Sequence, residues 1–145
     1  SSFLAGYLNF YFHLIFENVT LVQSAAGEIF DQMLRIGPGD VLLAIGFPRY
    51  SKMTMSAVHF ARDRGAEVIA ITDSKMSPLY TLSVASLLVH CEMISFVDSM
   101  AAPVSLLNAL IVAVGKQKSA ETAETFAEME RVWSRYEIFG YEDDE

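Results

Sequence analysis

Arginine, tyrosine and serine stand side by side at Arg49, Tyr50 and Ser51, behind a short apolar run and ahead of a helical pattern. A guanidinium can fork onto a phosphate or carboxylate, and a phenol can stack on a ring or hydrogen-bond it. A serine hydroxyl at this point sits where a helix N-cap belongs. The apolar run covers residues 41–45 and follows the turn Gly37-Pro38-Gly39 and Asp40; Gly46, Phe47, Pro48, Arg49 and Tyr50 then break it. Strand, loop and helix N-terminus is the order in which a parallel sheet presents backbone N–H groups and a helix dipole to an anion. The same residues also make an ordinary capped helix carrying a surface arginine, and spacing alone leaves both readings open.

The surrounding pattern supplies the elements that would hold this loop. Phe3, Leu4, Tyr7, Leu8, Tyr11, Phe12 and Ile15 recur at helical spacing, so a buried helix starts almost at residue 1. Residues 19–22 read as a short strand and residues 26–36 as a helix with Ile29, Phe30, Met33 and Leu34 inward. Behind the loop, Met53, Ala57, Val58, Phe60 and Ala61 mark one helix face, which ends at Arg62, Arg64 and Gly65. Residues 68–71 form the next strand, Ser77-Pro78-Leu79 opens a short helix, residues 87–90 form another strand, and residues 94–97 a brief extended segment. Residues 100–114 are almost wholly apolar, and the amphipathic residues 120–139 follow with Phe126, Met129, Val132, Trp133, Tyr136 and Ile138 on one side. Strands alternating with helices across short polar loops predict a parallel sheet with helices on both faces.

Composition narrows the functional classes. A chain of 145 residues is one domain of ordinary size, and a hydrophobic fraction of 52% asks for a doubly buried sheet, a large subunit interface, or both. Net charge of −8 makes the chain a poor binder of phosphate backbones. Cys91 is the one cysteine, which excludes an internal disulfide; it reads as a buried apolar residue in a reducing cytosol. His13, His59 and His90 lie far apart without ligand spacing, so no metal and no cofactor is expected. The aromatic stretch 3–16 is too short to span a bilayer and lacks the basic leader of a signal peptide, so no membrane partner is expected.

Three segments carry a family resemblance: GDVLLAIGFPRYSKMT from Gly39, RGAEVIAITDSKMSPL from Arg64, and SFVDSMAAPVSLLNALIVAV from Ser95. Together with a weaker match at SSFLAGYL, they resemble the sugar isomerase (SIS) domain of MurR/RpiR-family bacterial transcription regulators. The resemblance implies a flavodoxin-like three-layer α/β/α sandwich with a parallel sheet, binding phosphosugars at the carboxyl ends of the strands, where doubly wound sheets in general hold ligands. It implies ligand contacts from Gly46, Phe47, Arg49, Tyr50 and Ser51, and from Ser1 and Ser2, for which a plain N-cap is the rival reading. The wider SIS family holds phosphate with two serines and a threonine; here those positions are Gly46, Pro48 and Ser51, and only the last keeps a hydroxyl. The resemblance further implies a first strand and glycine loop ahead of the opening helix, and a helix-turn-helix domain ahead of that. The sequence contains neither, so residues 1–145 read as a single SIS-type domain cut at its N-terminus.

The expected function is therefore that of an effector sensor. It would bind a small phosphorylated sugar or sugar acid, assemble as a homodimer or homotetramer through residues 100–114, and act in the cytoplasm. DNA would be reached only through the absent helix-turn-helix domain. A dimerisation domain with a vestigial pocket is the alternative, favoured by Gly46 and Pro48. An isomerase needs a positioned base, and only Asp73 falls near the loops, so the chain is not expected to be an enzyme.

Overall fold

A computed structural model describes residues 2–23, 28–94 and 96–139. Helix α1 (Ser2–Ile15) is followed by the single turn α2 (Ile29–Gln32), strand β1 (Val41–Ile45), helix α3 (Lys52–Asp63) and strand β2 (Glu67–Thr72). Short helix α4 (Pro78–Leu82), strand β3 (Ala85–Leu88) and the two-residue strands β4 (Met93–Ile94) and β5 (Val97–Asp98) come next, then the long helices α5 (Ala101–Gln117) and α6 (Ser119–Arg135).

The sheet runs β1-β2-β3, all parallel, with Val41 opposite Glu67 and Ile69 opposite Ala85. Period-two alternation sends its side chains into two separate cores. Ala44, Val68 and Ala70 pack with Val58 and Ala61 of α3 and with Leu79 of α4. Ile45 and Ile71 turn the other way, onto Leu4 and Leu8 of α1 and Leu107 of α5. Helices on both faces give the expected three layers. Leu4, Val58, Ile71 and Leu107 are at most 1% exposed, and each contributes about 1.5–3 kcal/mol of burial.

Several expected elements differ from those observed. Residues 19–22 take no strand conformation because no neighbouring strand pairs with them among the described residues, and an unpaired strand leaves its ladder unmade. The helix expected over 26–36 contracts to α2, with residues 24–27 outside the described set. The third sheet strand begins at Ala85 instead of Leu87, since Val84 N already bonds Val68 O at 2.8 Å and Ile69 pairs with Ala85. Ile94 and Val97, expected in one extended segment, instead pair with each other across two antiparallel strands, β4 with β5, apart from the main sheet.

Among the described residues β1 pairs only with β2, so its outer edge is free. A cavity of about 1160 Å³ is lined by all five residues of β1 and also by residues 19–22. Asn9 of α1 lines it too, with its buried Oδ1 lacking a hydrogen-bond partner among the described residues. The strand that the resemblance implies ahead of α1 has no counterpart among the described residues. No helix of the described residues is long and apolar enough to cross a membrane.

Candidate functional site

The loops at the carboxyl ends of β1 and β2 carry the candidate residues, and a packing constraint sets the first of them. Gly46 N donates to Ile71 O at 3.0 Å, extending the β1–β2 ladder by one step. A Cβ on Gly46 would stand 2.6 Å from Leu79 Cδ1, and Leu79 is itself locked in the core. Glycine at this position therefore serves close packing of α4 against the strand end. Phe47 packs against the core between α1 and α5. Pro48 is exposed, and Arg49 then adopts φ 68°, a left-handed conformation that costs a side-chain-bearing residue about 1 kcal/mol or more.

This left-handed step turns the chain into α3. Ser51 is extended, at φ −66° and ψ 128°, and its Oγ accepts from Thr54 N at a long 3.4 Å. The N-cap reading of Ser51 is thus correct. Ser51 and Lys52 are exposed, and the first N–H groups of an α-helix have no partner within the helix, the arrangement that favours an anion.

The β2 loop holds Tyr50 in place. The Tyr50 hydroxyl donates to the Asp73 carboxylate. Burial, followed by the bond to Asp73, pushes the Tyr50 phenol above the ordinary tyrosine range, while the Ser77 and Thr72 hydroxyls pull the other way. Behind Asp73 lies a buried polar pair, Thr72 and Ser77, at 0% and 1% exposure. Thr72 Oγ1 is 2.7 Å from Ser77 Oγ and 3.2 Å from Asp73 Oδ1, so its single proton serves the nearer serine or the carboxylate. Ser77 Oγ also accepts from Leu79 N at 3.2 Å and caps α4, whose first position is Pro78.

The Arg49 guanidinium meets Asp98 of β5 at 3.7 Å, with the Arg49 side chain largely in solvent and that of Asp98 about half exposed. Cys91 lies close by: its half-buried thiol donates to Ser99 O at 3.5 Å. Burial raises its pKa, and the charges of Asp98 and Asp73 raise it further. The expected buried apolar cysteine is thus only partly buried.

The predicted residues therefore divide into two groups. Ser2, exposed in the first turn of α1, lines the cavity beside β1 together with Ser51. Arg49 and Tyr50 reach across the strand ends to Asp98 and Asp73. Ser1 lies outside the described residues. Sequence reading gave Asp73 no part in binding and missed Thr72, Ser77 and Asp98. Thr72, Asp73 and Ser77 were signalled by the polar TDS-x-x-S stretch directly after an apolar strand, whereas Asp98 reaches Arg49 through a non-local contact that carries no local pattern. Among the described residues no three His, Cys, Asp or Glu side chains gather where they could hold a metal ion.

Known proteins share this architecture. The sugar isomerase domain of an RpiR transcription factor from Sphaerobacter thermophilus superposes with a TM-score of 0.84 at 19% identity, covering 90% of this chain and 73% of that one. The Vibrio vulnificus NanR protein, solved in complex with ManNAc-6P, superposes with a TM-score of 0.72 at 20% identity; the match covers 93% of this chain and 52% of NanR. No curated protein matches the sequence. The SIS domain family matches residues 1–113. With that span, the parallel sheet between two helical layers and the shared fold, the chain belongs to the SIS domain family.

Proposed function

We propose that this domain senses a phosphorylated sugar or a related sugar acid and is the effector-binding part of an RpiR-type transcription regulator. The observation that carries the reading is Arg49, held left-handed two residues before the Ser51 N-cap of α3 at the carboxyl end of a parallel sheet. Strained non-glycine backbone concentrates at functional sites, and this strain falls at a cationic residue two positions ahead of a helix N-cap. NanR, which shares the fold, is complexed with a phosphosugar. Asp73, the carboxylate nearest the loop, already accepts from Tyr50 and has the Thr72 hydroxyl at 3.2 Å, which favours binding over proton abstraction by a free base.

Signal would pass by population shift between two subunit arrangements of a homodimer or homotetramer, to a helix-turn-helix domain outside this chain, in the cytoplasm. Gly46 favours a second reading, a dimerisation domain with a vestigial pocket, because Leu79 fills the space where a phosphate-holding serine would stand. Calorimetric titration with ManNAc-6P and other sugar phosphates separates the two. Arg49→Ala and Ser51→Ala are expected to weaken binding about tenfold or more and about threefold, in line with charged and neutral hydrogen bonds, with both variants folded. Equal affinity in wild type and both variants would favour the vestigial pocket.

A further inference from the structure

We propose that Asp98 is a tethered competitor for the anion at Arg49, so that ligand binding releases the β4–β5 hairpin and alters the entry to α5. This rests on the phosphosugar reading above. Asp98 is the one carboxylate paired with Arg49 among the described residues. The 3.7 Å separation exceeds a hydrogen bond, and 77% of the Arg49 side chain and 47% of that of Asp98 remain exposed. Such a pair neutralises the guanidinium while holding it weakly. A phosphate dianion brings a higher charge and the geometry for two parallel N–H···O bonds, so it displaces a single loosely placed carboxylate.

Once the phosphate occupies Arg49, Asp98 faces a like charge within a few ångströms and is driven off. Little opposes its departure. The hairpin has two paired positions, Met93 with Asp98 and Ile94 with Val97, closed at its base by Ser99 N donating to Glu92 O at 2.9 Å. Phe96 and Val97 lie exposed on it, and Asp98 stands just ahead of the first turn of α5. Occupancy at the β1 loop is thereby conveyed to a long helix with an open apolar side. Tyr50 is fixed separately by Asp73 and stays in place as a contact for the sugar.

The test combines calorimetry and hydrogen exchange on wild type, Asp98→Asn, Arg49→Ala and the double variant, with ManNAc-6P and inorganic phosphate as probes at low ionic strength. Asp98→Asn is expected to bind about threefold tighter than wild type, the scale of an exposed ion pair. That gain shrinks in the Arg49→Ala background, whereas a general charge effect would persist there. Without ligand, amides of residues 96–99 exchange faster in Arg49→Ala and in Asp98→Asn than in wild type. Ligand speeds them in wild type and leaves them unchanged in Asp98→Asn. Unchanged or weaker binding by Asp98→Asn, while Arg49→Ala still loses affinity, overturns the competitor and leaves the binding site standing. Absence of binding by every variant overturns the phosphosugar reading. Hairpin exchange that is the same in all ligand-free variants overturns the tether by itself.

Discussion

Leu79 occupies the space that a side chain at Gly46 would need, and this single contact explains why glycine stands at the end of β1. The position was legible in the sequence as a glycine where a serine was expected, but its cause was not, because Leu79 arrives from a helix beyond the next strand. Ser51 was fully legible, since an N-cap is a local device read from its own neighbours. Tyr50 shows what remained hidden: its partner Asp73 sits on another strand. Because burial and Asp73 raise the Tyr50 pKa, the folded chain keeps this proton at a pH where the unfolded chain has lost it. Its contribution to stability is therefore complete below about pH 10, the ordinary tyrosine value, and is lost as pH rises through the folded value. Denaturant midpoints measured across the alkaline range should fall more steeply for wild type than for Tyr50→Phe; parallel curves would remove the coupling.

At the level of elements, α4 is set by the buried pair Thr72 and Ser77. Ser77→Ala removes the cap of α4 and leaves the Thr72 hydroxyl without its nearest partner, so a loss of about 1–3 kcal/mol in urea unfolding is expected. A change below about 0.5 kcal/mol, the usual range of a surface substitution, would show that the pair does not position the site. Helices α1, α3 and α5 and strands β1 and β2 could be read in advance, because continuous apolar runs and helical periodicity are local properties. Residues 19–22 could not, since their apolar pattern becomes a strand only beside a partner, and they face a cavity instead. The β4–β5 hairpin was similarly invisible as a unit. Helix α6 has the expected amphipathic pattern yet buries no residue, which leaves Phe126 and Val132 exposed.

For the whole molecule, α5 is decisive. Only Pro103 and Leu107 of this apolar helix are buried, and Val112 stays 55% exposed. Such a face is the kind that a second copy covers in an obligate assembly. Sedimentation at micromolar concentration is expected to show a dimer or larger species, shifted toward monomer by Val112→Glu. A monodisperse wild-type monomer would remove α5 from that role. Binding at the Arg49 loop is the central claim, and the most direct measurement is a thermal-shift screen against phosphorylated sugars, amino sugars and sugar acids, since a ligand selective for the folded state raises the melting temperature by mass action. The account predicts a saturable rise with at least one phosphorylated sugar that disappears in Arg49→Ala. A panel without any shift, or a shift that persists undiminished in Arg49→Ala, would contradict it.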